Sequence, residues 1–473
     1  SEHGHNRYHV GMTNQSPKEK IKHLENDQPT VSAVIDNRTL IELVYDEAAG
    51  TTAFAIWKNG AWTMEKSFQV KGMTLRPYGP GNNIVKHKVV LLPSAPEEFG
   101  EESDLIADIE SFISRYVDLS SDFTRLACRY VLLTWLFDRF NELPYLRLRG
   151  GYGTGKTRFM LIVGSICYKP IFANGASTIS PLFHLLDAFK GTLILDEADF
   201  RFSDEKADIV KILNAGNVRG IPILRTMMNK NREFDPRAFS VFGPKIIASR
   251  GSYEDQALES RCITEETLGG ALRPDIPINL PRTYEAEART LRNKLLLYRF
   301  HNFHQTAILP DLINPTVDNR INQIFMPLLS VTRDEAVRDE LIERQNDGNA
   351  RLAEERGLAI EAQVLEIIHD LQGDGAIRLK DIAETFRKHY AESFGAAISS
   401  RFIGTVIRTK LHIRTRKSHG VYVIPISELP KLSGLYLRYG LNNENATALN
   451  DDISIVPVDN GEPGDMQENA ITF

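Results

Sequence analysis

Gly150-Gly151-Tyr152-Gly153-Thr154-Gly155-Lys156-Thr157 lies between the apolar-leaning stretch Leu143-Pro144-Tyr145-Leu146-Arg147-Leu148 and the apolar run Phe159-Met160-Leu161-Ile162-Val163. This order predicts a strand, a glycine-rich turn and a helix start, so that successive backbone N–H groups and the helix N-terminus converge on a phosphate chain. Lys156 is placed to neutralise the terminal phosphates, and the Thr157 hydroxyl can enter a magnesium shell. The complementary half of such a site is Thr192-Leu193-Ile194-Leu195-Asp196-Glu197-Ala198-Asp199. Four residues that can be buried in a strand deliver two adjacent carboxylates to its carboxyl end, the edge where ligands bind in parallel sheets. Asp196 reads as the group that holds magnesium through water, and Glu197 as the one that orients and polarises the attacking water. Asp199 reads as a helix cap or a surface ion pair sooner than as a catalytic group. ATP and Mg2+ are the ligands expected, and hydrolysis the reaction.

The 473 residues exceed one ordinary core and suggest about three domains. With 42% hydrophobic and 25% charged residues, the composition is that of a soluble globular protein. No apolar run reaches the roughly 18 residues that cross a bilayer, and Ser1-Glu2-His3-Gly4-His5 carries no secretion-type apolar segment, so a cytosolic location and no membrane partner are expected. Cys128, Cys167 and Cys262 are far apart, which argues against a structural zinc site or a disulfide framework. The formal charge of -6 argues against a uniformly basic surface. Charge is nevertheless segregated: residues 395–425 hold Arg401, Arg408, Lys410, Arg414, Arg416 and Lys417 with no acid, and residues 443–473 hold acids with no base. An anionic partner is thereby directed to one region.

An α/β chain of six parts is expected. Residues 1–31 read as a flexible lead-in. Residues 32–100 read as a small, mainly β domain, from alternating runs such as Thr39–Tyr45 and Thr52–Trp57 broken at Gly50 and Asn59-Gly60. A nucleotide-binding core with preceding helices follows over 101–270, with Asp122 able to cap the helix over 121–140. A helical lid occupies 271–357, with a strong helical pattern at Ala286–His301. Residues 358–442 give helices at 361–371, 378–389 and 399–409, the last capped by Ser399 or Ser400, then short strands Leu411–Arg414 and Val421–Ile424: a winged helix. Residues 443–473 form an acidic tail.

Together the two phosphate-site segments resemble the Walker A and Walker B motifs of the AAA+ ATPases, over roughly residues 120–300. That resemblance implies a ring with active sites between subunits. Ser249, after the strand Lys245-Ile246-Ile247-Ala248, matches the polar sensor 1 position, with Arg250 beside it as a rival. Leu258-Glu259-Ser260-Arg261-Cys262 looks like the Ser-Arg-Cys motif of clamp-loader ATPases, which would make Arg261 the arginine finger entering a neighbour's site. The lid helix carrying Arg289, Arg292 and Lys294 should supply sensor 2, with Arg292 preferred and Arg289 the alternative.

About 50 residues separate Glu197 from Ser249. After a helix at 204–214, Ile221–Thr226 and Ala238–Phe242 can pair, with Lys230 and Arg232 near the tip. This looks like the hairpin inserted before sensor 1 in superfamily 3 and MCM-type replicative helicases, where it lines the channel. The winged-helix segment offers Arg401 and Arg408 on its third helix and Arg414, Arg416, Lys417 and His419 about the wing, a face suited to phosphates. The resemblance implies a hexameric DNA helicase of phage, plasmid or mobile-element type. A non-translocating DNA-binding switch and a protein-remodelling machine are the alternatives; the hairpin's Met227, Met228, Lys230 and Arg232 lack the aromatic grip usual in the latter.

Overall fold

The computed structural model describes residues 27–36, 38–173, 179–196, 204–228, 234–253, 255–267, 269, 272–357, 360–373, 375–394, 399–418 and 420–441. Glu197, Asp199, Lys230, Arg232 and His419, with the acidic tail, lie outside the described residues. Contacts divide the chain into two units: the first runs through Ile313 and takes in Gln323–Arg338, and the second holds Asn314–Asn322 and the described residues from Asp339 onward. The architecture is mixed α/β, β-rich towards the amino terminus and helical towards the carboxyl terminus.

The first unit opens with β1 (Asp27–Thr30), β2 (Ser32–Ile35), β3 (Thr39–Asp46), β4 (Thr51–Lys58), β5 (Ala61–Glu65), β6 (Phe68–Val70) and β7 (Met73–Pro77). They form an antiparallel sheet of order β2-β3-β4-β5 and a second sheet of order β1-β7-β6. Asn59 and Gly60 both take positive φ, 55° and 80°, the two-residue turn whose twist matches a hairpin. β3 is buried along both faces rather than one, because Leu43 enters the core that also holds Ile171 and Leu193. Glu42 is drawn in with it and is bonded by Lys169 Nζ at 2.7 Å, Arg299 Nε at 2.8 Å and the Tyr168 hydroxyl at 2.8 Å.

Helices α1 (Glu102–Tyr116) and α2 (Ser121–Leu136) lead to the central sheet. Ser120, not Asp122, caps α2 by accepting the Phe123 N–H at 3.2 Å; Asp122 sits in the first turn and pairs with Arg125 at 2.8 Å. The central sheet is β8 (Tyr145–Gly150), β9 (Ile171–Ala173), β10 (Leu193–Leu195), β13 (Lys245–Ser249) and β14 (Cys262–Thr267), all parallel in the order β14-β8-β13-β10-β9. Short apolar strands covered by helices are what a parallel sheet requires. Helix α3 (Lys156–Ser165) packs so closely that a Cβ on Gly164 would lie 3.1 Å from Ile194.

Between β10 and β13 run a helix, α4 (Asp204–Ala215), and an antiparallel hairpin of β11 (Ile223–Met228) and β12 (Phe234–Phe239), paired Ile223 to Phe239 through Met228 to Phe234. A 20-residue helix, α5 (Thr283–Asn302), follows the sheet.

The second unit contains α6 (Ile360–Asp370), β15 (Ile377–Arg378), α7 (Leu379–Phe394), α8 (Ser400–Thr409), β16 (Arg416–Ser418), β17 (Val421–Ile424) and α9 (Leu429–Arg438). Its sheet has the antiparallel order β15-β17-β16. Ser399 caps α8, accepting the Phe402 N–H at 3.2 Å. Leu411–Arg414 is not a strand: His412 takes φ 56°, which interrupts extended backbone, while Leu411 and Ile413 on either side enter the core with Ile403 and Ile407.

Candidate nucleotide site

At the carboxyl end of β8 the chain turns through Gly151–Gly155 into α3. Gly153 at φ 71° and Gly155 at φ 80° hold the left-handed backbone that glycine adopts without strain, and Gly155 is the N-cap of α3. Gly150 is required for a different reason: a Cβ there would lie 2.5 Å from the Thr267 carbonyl oxygen and 2.8 Å from Thr154 Oγ1. The Thr154 hydroxyl donates to the Gly151 carbonyl at 3.1 Å. Lys156 Nζ donates to the Gly150 carbonyl at 2.8 Å and to that of Gly151.

Thr157, in the first turn of α3, donates its hydroxyl to Asp196 Oδ2 at 3.1 Å. Two oxygen groups of the type that hard cations select thus meet, brought from the ends of β8 and β10 with β13 between them. Tyr152 through Arg158, Asp196, Ser249 and Arg250 line a cavity of about 270 Å³. Ser249 is buried and donates to the Gly251 carbonyl at 3.1 Å. Arg250 stacks its guanidinium 3.8 Å from the centre of the Tyr152 ring and bonds the phenol oxygen. Arg158, also on the cavity, donates to the carbonyls of Pro277 and Ile278. Sequence reasoning passed over Arg158 and the Tyr152–Arg250 stack; adjacency of Arg250 to Ser249 was the available signal for the latter.

Arg261 is held in its own chain. Its Nε donates to Asn217 Oδ1 and its Nη1 to Asn214 Oδ1, each at 2.8 Å. Cys262 pairs with Tyr145 and Thr267 with Gly150, so Arg261 stands at the end of β14 opposite the loop, roughly 17 Å away at strand rise. Arg292 is not at the cavity. It is buried on α5, donates to the Ser165 carbonyl at 2.7 Å, and meets the far end of α3, roughly 14 Å from Lys156 at helical rise. Desolvation lowers its guanidinium to about 10. Arg289, the alternative, pairs with Glu47 at 3.3 Å.

In the second unit Arg401, Arg408, Arg414, Arg416 and Lys417 are exposed. Arg408 Nη1 donates to Thr415 Oγ1 at 3.2 Å. Lys417 stands opposite Tyr422 in the β16–β17 register, so an exposed aromatic ring joins the basic hairpin, a feature the sequence reading did not include. Among the described residues there is no cluster of three or more metal-ligating side chains and no helix long and apolar enough to cross a membrane.

No family model and no curated protein matches the sequence. Solved structures do. The apo C-terminal region of NrS-1 aligns with 81% of this chain and 96% of its own at 12% identity and TM-score 0.35. The active helicase Cch of SCCmec type IV aligns with 84% and 95% at 12% identity and TM-score 0.35. The full-length MCM homolog from Methanopyrus kandleri aligns with 67% and 75% at 11% identity and TM-score 0.32. At such identities and TM-scores function has to be read from the chain's own residues.

Proposed function

We propose that this chain is an AAA+ type ATPase that assembles as a homo-oligomeric ring, expected to be a hexamer, and engages DNA as a replicative-type helicase. The observation that carries the ATPase reading is the Thr157–Asp196 bond at the mouth of a glycine loop with left-handed Gly153 and Gly155. Gly150–Thr157 would wrap the phosphates with backbone N–H groups, and Lys156 would exchange the loop carbonyls it now bonds for phosphate oxygens. Thr157 and Asp196 would hold Mg2+, which when bound neutralises charge on the phosphates. Glu197, next in the chain, would orient the attacking water, with Ser249, at the end of the strand between β8 and β10, as the polar sensor. Arg261, too distant to serve its own loop, would complete the site of an adjoining subunit.

The DNA reading is supported by the exposed hairpin between α4 and β13 and by the basic, acid-free stretch 395–425 of the second unit, where α6, α7 and α8 with the short sheet suit a winged helix. ATP turnover measured with no DNA, single-stranded DNA and duplex DNA, alongside strand displacement on a fork, tests the proposal. Stimulation with displacement supports the helicase. ATP-dependent binding without displacement would assign the chain to a DNA-binding switch instead.

A further inference from the structure

Lys245, the first residue of β13, is fully buried, and among the described residues no carboxylate is bonded to its ammonium. Its Nζ donates to three backbone carbonyls: Gly243 at 2.9 Å, Val241 at 3.0 Å and Gly216 at 3.2 Å. Gly216 follows α4 directly, while Val241 and Gly243 follow β12. The ammonium therefore ties together both ends of the 217–240 insertion that carries the hairpin. The Gly243 N–H also donates to the Gly216 carbonyl, at 3.1 Å, which closes the same neck. Space for the ammonium is reserved by sequence: a Cβ on Gly216 would lie 2.2 Å from Nζ. The strand start is fixed as well, since the Tyr130 hydroxyl accepts the Lys245 N–H at 2.9 Å and donates to its carbonyl at 2.8 Å. Four residues further on, the same strand delivers Ser249 to the nucleotide cavity.

We propose that Lys245 is a positioning residue that fixes the 223–239 hairpin to the strand bearing Ser249, so that a change at the nucleotide cavity is passed to the hairpin through one short, rigid segment. An ammonium has three N–H donors for the three carbonyls; a neutral amine has two, and its lone pair would face the third oxygen. Burial lowers this group to about 7. The titratable groups around it are the phenols of Tyr130 and Tyr145, the latter ring 4.9 Å from Nζ, with the Cys262 thiol and Arg261 guanidinium beyond Tyr145. Burial raises both phenols and the thiol, so they stay neutral across the range in which Lys245 changes charge.

The clamp rests on the function proposed above only for what the hairpin touches. It is tested by amide hydrogen exchange of the full chain at pH 6 and pH 9, corrected for intrinsic rates, in the wild type, Lys245→Met and Lys245→Arg. Protection of β11 and β12 relative to α3 should rise in the wild type between the two pH values, because opening returns Lys245 to water, where it regains the proton that burial makes it release. Lys245→Met leaves three carbonyls unpaired and should show no pH step and protection at least about fivefold below the wild type at pH 9, with ATP affinity unchanged, and DNA stimulation of its turnover should be lost. Lys245→Arg, charged at both pH values, should show no pH step, and it decides the matter with the wild type where Lys245→Met does not fold. Hairpin exchange that is independent of pH in the wild type, or equal in wild type and Lys245→Met, would overturn the proposal. Absence of DNA stimulation in the wild type would instead tell against the helicase reading, and the exchange comparison judges the clamp in either case.

Discussion

Arg147 Nη1 donates to Glu259 Oε2 at 2.7 Å, its second amine bonds Oε1, and its guanidinium lies 5.0 Å from the centre of the Tyr253 ring. The pair joins β8, which leads into the glycine loop, to the short helix that precedes Arg261. Glu259 Oε2 also accepts the Tyr253 N–H at 2.9 Å, so the segment between Ser249 and Arg261 is anchored at its middle.

Burial works against ionisation of Glu259, but the Arg147 hydrogen bonds and charge outweigh it and hold the carboxyl below its ordinary 4.5. The contribution to stability is full above that ordinary value and is lost as pH falls through the lowered folded value. Glu259→Gln leaves a buried guanidinium without its countercharge and should cost about 3 kcal/mol at pH 7. Denaturant titrations from pH 7 to pH 3 should show the gap between wild type and variant closing with acid. A constant gap would remove the pair from the account.

Lys156→Ala should weaken ATP binding by at least about tenfold, since a cation facing the phosphates is lost. Asp196→Asn should leave binding of free nucleotide intact and abolish its dependence on Mg2+. Glu197→Gln should bind ATP normally and turn over roughly a hundredfold more slowly. Equilibrium binding of a fluorescent nucleotide with steady-state turnover separates the three effects.

Glu42→Gln should destabilise the first unit by about 3 kcal/mol or more, because Lys169 and Arg299, both buried, would share a neutral amide. Thermal unfolding measures it. A loss below 1 kcal/mol would mean that Asp138, which pairs with Arg299 at 2.6 Å, suffices alone.

Charge reversal at Arg414 and Arg416 should weaken DNA binding and lower the slope of log affinity against log salt by about one per cation removed. An unchanged slope would take both cations out of the proposed DNA contact.

Features set by local backbone were legible in the sequence. The glycine loop announces Gly153 and Gly155, Asn59-Gly60 announces a hairpin, and the pair Ser399-Ser400 announces the start of α8, because each depends on residues within a turn of one another. Tertiary placement was not legible. Glu42 lies in the run Thr39–Tyr45, yet its partners Lys169 and Arg299 come from distant segments that the run does not announce. Arg292 shares a helix with Arg289 and Lys294, and periodicity alone does not tell which of them meets the cavity and which meets the back of α3. Lys245 stands before three apolar strand residues, where a cage of carbonyls leaves no signature in side-chain order.

The central claim, a nucleotide site shared between subunits, is tested most directly by mixing Lys156→Ala and Arg261→Ala proteins and measuring ATP turnover. Each should be inactive alone, with Arg261→Ala still binding ATP, because its loop is intact. In an equal mixture, intact loops meet intact arginines at about a quarter of the interfaces of a head-to-tail ring, and turnover should recover to about that fraction of wild type. Wild-type turnover by Arg261→Ala alone, or a mixture as inactive as its parts, would contradict the account.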